Sequence, residues 1–284
     1  MVKHLHTQAE FPSVTVVMPI RNEEDFIERS LGAVLNQDYP PDKVYILIAD
    51  GMSDDRTVEI IESMPGSERV RIIENPERIQ SHGLNRIIPL AKGDYVIRID
   101  GHTIIEPDYI RQCVKTLQET DAANVGGAMD PVGLTPAGKA ISAAGKSPFA
   151  VPSVFHVSKT PQYTDTVYLG AWKREVFDDV GLFSTDVGVN EDYEFNYRTR
   201  ANGGKIYFNP AIKSTYYSRQ TWSHLARQYY RYGRSKIKTL KKYPESLRPR
   251  QMVAPLFVAG LIVGLILPFI SPILGWFYMG VIIL

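Results

Sequence analysis

Three short clusters of polar side chains could do chemistry: Arg21-Asn22-Glu23, the acidic run from Asp50 to Asp55, and Asp100-Gly101-His102. Each offers charged or hydrogen-bonding groups suited to hold a polar ligand. Each taken alone also reads as an ordinary acidic turn or helix cap. The only cysteine, Cys113, has no CxxC partner. A zinc ribbon, a dithiol redox centre and a disulfide-stapled secreted fold are therefore excluded.

What sets the three clusters apart is their place along the chain. Residues 14–18 (VTVVM) form an apolar, β-branched run without helical period that ends at Pro19, the pattern of a buried strand. Residues 44–49 (VYILIA) repeat the pattern and finish at Asp50-Gly51, and 95–99 (YVIRI) finish at Asp100-Gly101. A further short strand is expected at 70–73 (VRII). Between them, Asn22 is placed to cap a helix with Glu23, Glu24 and Asp25 in its first turn and Ile27, Leu31, Val34 and Leu35 on one face. Thr57 to Met64 and His82 to Leu90 are also expected to be helical.

Strand, turn and helix repeated in this way predict right-handed βαβ units and a mainly parallel α/β sheet. Each polar cluster then follows a strand at its carboxyl end, the edge where open α/β sheets bind ligands. The stretch from Asp130 to Thr166 is rich in Pro, Gly, Ala and Ser and has no firm period, which predicts a lid or binding loop. Lys173 to Val180 and Glu191 to Ala201 read as helices, and Lys205 to Phe208 as a last strand.

The formal net charge of +1 conceals an uneven distribution. The segment 219–250 holds ten Lys or Arg against one acid, Glu245, leaving 22 basic against 30 acidic residues in 1–218. No charged residue follows Arg250, and Met252 to Ile270 is a 19-residue apolar stretch. As a helix it would be roughly 28 Å long, close to the ~30 Å hydrocarbon thickness of a bilayer. A membrane span is preferred over a buried core helix, because no polar face interrupts it.

The basic collar places the preceding domain on the cytoplasmic side and attracts anionic head groups. Read as a helix, the collar lines up Trp222, Leu225, Tyr229, Tyr232 and Lys236 at spacings of three and four, as in a helix lying at a membrane surface. Packing on the catalytic domain and nucleic-acid binding are the competing readings. Continuation into an apolar span argues against nucleic acid. Residues 273–284 are too few to cross again, and the expectation is that the chain stops inside a second span. The N-terminus has no apolar core of a cleaved signal peptide. Three parts are therefore expected: a catalytic domain over 1–218, an interfacial segment over 219–250, and membrane-spanning residues over 251–284.

The stretches VTVVMPIRNEE, IADGMSDDRT, AKGDYVIRIDGHTIIEP and VGVNEDYEFNYRTRANGGKIYFNP resemble, in order, the motifs of the family 2 glycosyltransferases with the GT-A fold. The likeness covers about residues 12–235. The Asp-Gly-His form of the third motif and the apolar C-terminus are similar to the succinoglycan-type branch of membrane-associated exopolysaccharide transferases.

The resemblance implies a Rossmann-like sheet with helices on both faces. It implies that Pro19, Arg21 and Glu23 lie around the nucleotide base and ribose, and that Asp50 accepts a hydrogen bond from the uracil N–H of a UDP-sugar. Asp100 and His102 match the DxD element, whose residues contact the ribose and a divalent metal, Mn²⁺ or Mg²⁺, that bridges the diphosphate. A histidine in the last position either ligates that metal or hydrogen-bonds a phosphate. Asp192 matches the general base, and Glu191 either orients it, contacts the acceptor or is an ordinary first-turn acid. Gln228 and Arg231 match the QxxRW element of processive synthases, with Tyr232 replacing Trp. His82, Asn75 and Asn85 lie in the segment before the third motif and are candidates, by proximity in sequence, for holding the nucleotide.

Breaking a sugar–diphosphate bond develops negative charge on the leaving group, which a cation stabilises, and the acceptor hydroxyl needs a carboxylate to take its proton. One such carboxylate suffices for direct displacement with inversion. The expected reaction is inverting transfer from a nucleotide sugar to a membrane-held acceptor such as a polyprenyl-diphosphate saccharide. The rivals are a processive synthase, a dolichol-phosphate-mannose-type synthase, and a noncatalytic nucleotide-sugar-binding scaffold.

Overall fold

The computed structural model describes residues 11–147 and 154–283, so the expectation for the extreme N-terminus and part of that for 130–166 lie outside the described residues. The chain divides into two compact units, Met1–Thr239 and Leu240–Leu284.

The first unit opens with the repeats expected from the sequence. In order these are β1 (Val14–Ile20), α1 (Ile27–Leu35), β2 (Val44–Asp50), α2 (Thr57–Ser63), β3 (Val70–Glu74), α3 (Gln80–Ile87) and β4 (Tyr95–Arg98). Strand β1 pairs in parallel with β2 and β4, and β2 with β3. All seven residues of β1 are buried, as a strand covered on both faces requires.

Next come β5 (Thr103–Ile105), α4 (Tyr109–Glu119), β6 (Ala122–Val132), α5 (Pro136–Gly145), α6 (Val154–Val157), β7 (Gln162–Thr164) and β8 (Tyr168–Lys173). Then follow α7 (Val176–Val180), α8 (Glu191–Ala201), β9 (Lys205–Tyr217) and α9 (Trp222–Lys242). The strands form one sheet in the order β3-β2-β1-β4-β8-β6-β9-β5, with β7 also on β9. The parallel arrangement expected from the sequence describes the half from β3 to β4. Beyond β4 the sheet is mixed, because β8 runs antiparallel to both β4 and β6 while β6 and β9 are parallel.

Side chains alternate across the sheet into two cores. Val14, Val16 and Met18 of β1 meet Ile27 and Leu31 of α1, Ile61 of α2 and Ile110 of α4 on one face. Val17 of the same strand meets Leu84 of α3, Phe177 of α7 and Phe195 of α8 on the other. Helices on both faces and a central sheet are the layering of an α/β domain.

Chain order runs β1, β2, β3 outward, then returns across β1 to β4. The carboxyl ends of β1 and β4 thus flank the point where strand order reverses, the place such sheets open a ligand crevice.

The first helix differs from expectation. Asn22 is not its cap: α1 starts at Ile27 with Phe26 as its N-cap. Asn22 is left-handed at φ 54°, and its amide donates to Asp54 at 2.7 Å. A short amide side chain tolerates that backbone and finds a carboxylate across the loop, which competes with capping.

The second unit holds α10 (Val253–Ile270) and α11 (Pro272–Ile283). The boundary at Thr239 falls inside α9, within the segment 219–250 set apart by its charge. Helix α10 has 18 residues and a mean hydropathy of 2.6, long and apolar enough to cross a membrane. Tyr278 of α11 donates its hydroxyl to the Leu261 carbonyl of α10 at 3.1 Å, so the two apolar helices are tied by a polar contact that no water need supply.

Candidate active site

The loops after β1 and β2 are laced together before any ligand is considered. The Asn22 N–H donates to Ser53 Oγ at 3.0 Å, the Glu23 N–H to Thr57 Oγ1 at 2.7 Å and the Asp54 N–H to Asn22 Oδ1 at 3.1 Å. Asp50 is buried at the end of β2, and its carboxylate accepts from the Ser53 N–H at 3.1 Å and the Ser53 hydroxyl at 2.6 Å. Its position is therefore fixed by its own turn, with acceptor capacity left over. Pro19 lies past Val17, whose partner Arg98 closes the β1–β4 ladder. Arg21 is exposed and lies over Gly51, where an added Cβ would come within 3.1 Å of the Arg21 Cβ.

A residue that the sequence reading passed over connects the site. Arg98, the last residue of β4, is buried. Its Nε donates to Asp100 Oδ1 at 2.9 Å and its Nη1 to Glu191 Oε1 at 3.3 Å. One guanidinium thus joins the end of β4 to the first turn of α8. Its signal in the sequence was a charge inside the apolar run YVIRI, which a strand buried on both faces does not carry without a partner. Gln80 of α3 adds a third donor to Asp100, at 3.2 Å.

Glu191 and Asp192 open α8, next to each other and to Arg98. Burial pushes the Glu191 carboxyl up to about 7, against the Arg98 charge that favours ionisation, and the neighbouring Asp192 adds to the rise. Burial likewise raises Asp192, with Arg98 opposing. A helix N-terminus favours a carboxylate by at most about 1 kcal/mol at a surface, less than one pKa unit, so burial prevails. The Tyr193 N–H donates to Asp192 Oδ1 at 2.6 Å, while Glu191 Oε2 is buried with no hydrogen-bond partner among the described residues. A buried carboxyl whose pKa is raised is suited to general base work.

His102 hydrogen-bonds through Nδ1 to Glu23 Oε1 at 2.8 Å, and its ring stands 5.5 Å from that of Tyr216. Burial would lower its pKa, but the Glu23 bond and charge outweigh burial and raise it. Among the described residues no three His, Cys, Asp or Glu side chains form a metal cage. Asp100 and His102, the two residues that the third motif offers, are donor types that suit an ion completing its shell with phosphate oxygens and water, as Mg²⁺ and Mn²⁺ do on diphosphates.

Three residues named from the sequence, Gln228, Arg231 and Asn85, have no bond to this cluster among the described residues. Gln228 of α9 donates to Tyr232 at 2.8 Å, and Arg231 is exposed. Asn85 spends both ends of its amide on Phe183, at 2.8 and 2.9 Å, as a brace. Arg219, just before α9, is exposed, yet its charge is felt by both His102 and Tyr232.

With this geometry in place, comparison with known proteins is decisive. The Glycosyl transferase family 2 model matches residues 15–163, and the Glycosyl transferase family group 2 model residues 95–284. The chain belongs to glycosyl transferase family 2. The succinoglycan biosynthesis protein ExoA of Rhizobium meliloti is 32% identical over 91% of this chain and 79% of its own. A dolichyl N-acetyl-α-D-glucosaminyl phosphate 3-β-D-2,3-diacetamido-2,3-dideoxy-β-D-glucuronosyltransferase of Methanococcus voltae is 30% identical over 81% of this chain and 74% of its own.

Among solved structures, the mannosyltransferase of Pyrobaculum calidifontis in complex with GDP-Man and Mn²⁺ superposes with a TM-score of 0.64 at 22% identity, covering 94% of this chain and 74% of its own. This family 2 glycosyltransferase therefore has the GT-A fold, as its motifs implied.

Proposed function

We propose that this family 2 glycosyltransferase moves a sugar, with inversion, from a nucleoside-diphosphate donor to a membrane-held acceptor of the polyprenyl-phosphate or polyprenyl-diphosphate saccharide class. The observation that carries the reading is Arg98, bonded at once to Asp100 at 2.9 Å and Glu191 at 3.3 Å. It joins Asp100 and Glu191, which in this reading serve the donor and the acceptor respectively, in one cluster at the carboxyl edge of the sheet.

In this reading Pro19 and Asp50, at the carboxyl ends of β1 and β2, and Arg21, in the loop after β1, bind the nucleoside, and Asp192 takes the proton of the acceptor hydroxyl. That oxygen bonds to the anomeric carbon from the face opposite the diphosphate, and the carbon–oxygen bond to the diphosphate breaks. Glu191 holds a second, exchangeable charge beside the base, and Arg98 keeps the Glu191 and Asp100 carboxyls oriented. Asp100 and His102 would hold a divalent ion, Mn²⁺ or Mg²⁺, which when bound offsets charge on the leaving diphosphate.

The lipid-linked acceptor is supported by the dolichyl-phosphate sugar in the name of the Methanococcus relative and by α10, long and apolar enough to hold the enzyme at a bilayer. Uridine as the base rests on the place of Asp50. Guanosine is the second reading, favoured by the GDP-Man complex of the Pyrobaculum structure.

A thermal-shift screen of UDP- and GDP-sugars, each with and without Mn²⁺ or Mg²⁺, tests the donor half of this proposal. Metal-dependent protection by a UDP-sugar is expected. Protection by GDP-sugars alone would replace the base, and protection by neither would return the protein to the class of noncatalytic scaffolds.

A further inference from the structure

The family motif implies that Glu23 lies near the nucleotide, and its side chain is bonded to His102. Glu23 Oε1 stands 2.8 Å from His102 Nδ1, and only 16% of the glutamate side chain is accessible to solvent. Three features hold it there. The Glu23 N–H is tied to Thr57 Oγ1 at 2.7 Å. The carbonyl of Gly101 accepts the Ser30 hydroxyl at 2.7 Å, fixing the backbone that carries His102. Gly101 itself has no side chain where Glu23 passes: a Cβ there would sit 2.8 Å from the Glu23 Cγ. The middle residue of Asp-Gly-His is therefore a glycine for a steric reason that concerns Glu23, since real Cβ atoms do not come so close.

An ionised carboxylate can only accept a hydrogen bond, so Nδ1 is the donor of the pair. In a neutral imidazole that leaves the lone pair on Nε2. This is the arrangement by which a carboxylate fixes the tautomer and ring orientation of a metal-ligating histidine. The Tyr216 ring, 5.5 Å from the imidazole, limits how the ring can turn.

We infer that Glu23 is a positioning residue for His102, presenting Nε2 to the divalent ion on the donor diphosphate, and that the Glu23–His102 pair is how this chain compensates for lacking the second aspartate of the motif. A neutral imidazole brings one less negative charge than a carboxylate, and an acidic partner behind it raises its basicity as a ligand. The inference rests on the proposal that His102 is a metal ligand.

The test is Mn²⁺ affinity of the intact protein with saturating UDP, read by the electron paramagnetic resonance of free Mn²⁺, at one pH. The thermal midpoint and UDP affinity without metal are measured in parallel. Glu23→Ala is expected to weaken Mn²⁺ binding about 10- to 100-fold, the usual effect of losing such a partner. Glu23→Gln, which still offers an oxygen to Nδ1–H, is expected to recover most of it. In a His102→Ala background Glu23→Ala should add no further loss.

Wild-type Mn²⁺ affinity in Glu23→Ala, together with a large loss in His102→Ala, would overturn the positioning role and leave the ligand role standing. Wild-type affinity in His102→Ala would overturn the ligand role and the inference with it. Weaker metal-free UDP binding in Glu23→Ala with unchanged Mn²⁺ affinity would show that Glu23 serves the nucleotide directly.

Discussion

Arg98 lies where three carboxylates converge, bonded to Asp100 and Glu191 and within electrostatic reach of Asp192. Burial by itself would lower its pKa, but Asp100 and Glu191 raise it, so the cation stays charged at any working pH. Removing one partner of a buried ion pair typically costs about 3–5 kcal/mol, because the remaining charge is left uncompensated. Arg98→Met should lose stability of that order in urea denaturation, and less at pH 5 than at pH 8, since the abandoned carboxyls can then protonate.

The acid pair beside it predicts two pH effects. A base must be ionised to work, and Asp192 is raised above its ordinary value, so kcat/KM should fall on acidification with a midpoint above the usual ~3.9 of aspartate. Glu191→Gln removes a neighbouring negative charge and should move that midpoint to lower pH. The stability effect has the opposite sense. Glu191 has a folded pKa of about 7 against an ordinary 4.5, so its contribution is full below 4.5 and lost as pH rises toward 7. Glu191→Gln should flatten the decline of stability across that window, as followed by thermal melts. The two carboxyls titrate as a pair, so both midpoints belong to the dyad.

Among the elements, the start of α8, which carries Asp192, is braced by α9. Gly188, two residues before Asn190, has φ 70°, and a Cβ there would lie 2.6 Å from Ser235 Oγ of α9. That hydroxyl accepts the Val189 N–H at 3.2 Å, and Lys236 sits 3.5 Å from the centre of the Tyr193 ring. Gly188→Ala should cost about 1–3 kcal/mol from backbone strain and also lower kcat by displacing the start of α8. Adding Ser235→Ala should restore part of the steric loss but not the strain. A kcat unchanged by Gly188→Ala would separate the α9 brace from catalysis.

Legibility in the sequence also followed the elements. Strands β1, β2 and β4 were plain because strands buried on both faces read as continuous apolar runs. Strand β6 was hidden, since AANVGGAMDPV carries two glycines and a proline that read as breakers. The glycine at 126 is there because a Cβ would press to 2.7 Å on Val167. A three-residue strand such as β5 has too little pattern to read, and it is known only by its pairing with β9. The polar clusters after β1, β2 and β4 and the acidic start of α8 could be read as candidates because each adjoins a strand end or a helix start. The bonds of Arg98 to Glu191 and of Glu23 to His102 could not, because each is a contact more than 75 residues apart in sequence.

For the whole molecule, the near-neutral total charge of +1 is a cancellation between an acidic catalytic part and a basic segment that leads into α10. Helix α10 carries no charge over 18 residues, about 27 Å along its axis, close to what a bilayer core requires. Anchoring through it predicts that the expressed protein stays with membranes through high salt and alkaline carbonate washes and is released by detergent. Release by salt alone would mean that the basic segment holds it only electrostatically.

The reaction we propose for this enzyme is transfer of a nucleotide-linked sugar to a lipid acceptor, with Asp192 as the base. The most direct measurement follows label from the sugar of the best-protecting donor into the organic-extractable lipid fraction, comparing the wild-type protein with Asp192→Asn. The wild type should label the lipid. The variant should fall by about 100-fold or more, as expected on losing a general base, while the donor still shifts its melting temperature fully. Undiminished labelling by the Asp192→Asn protein would contradict the account.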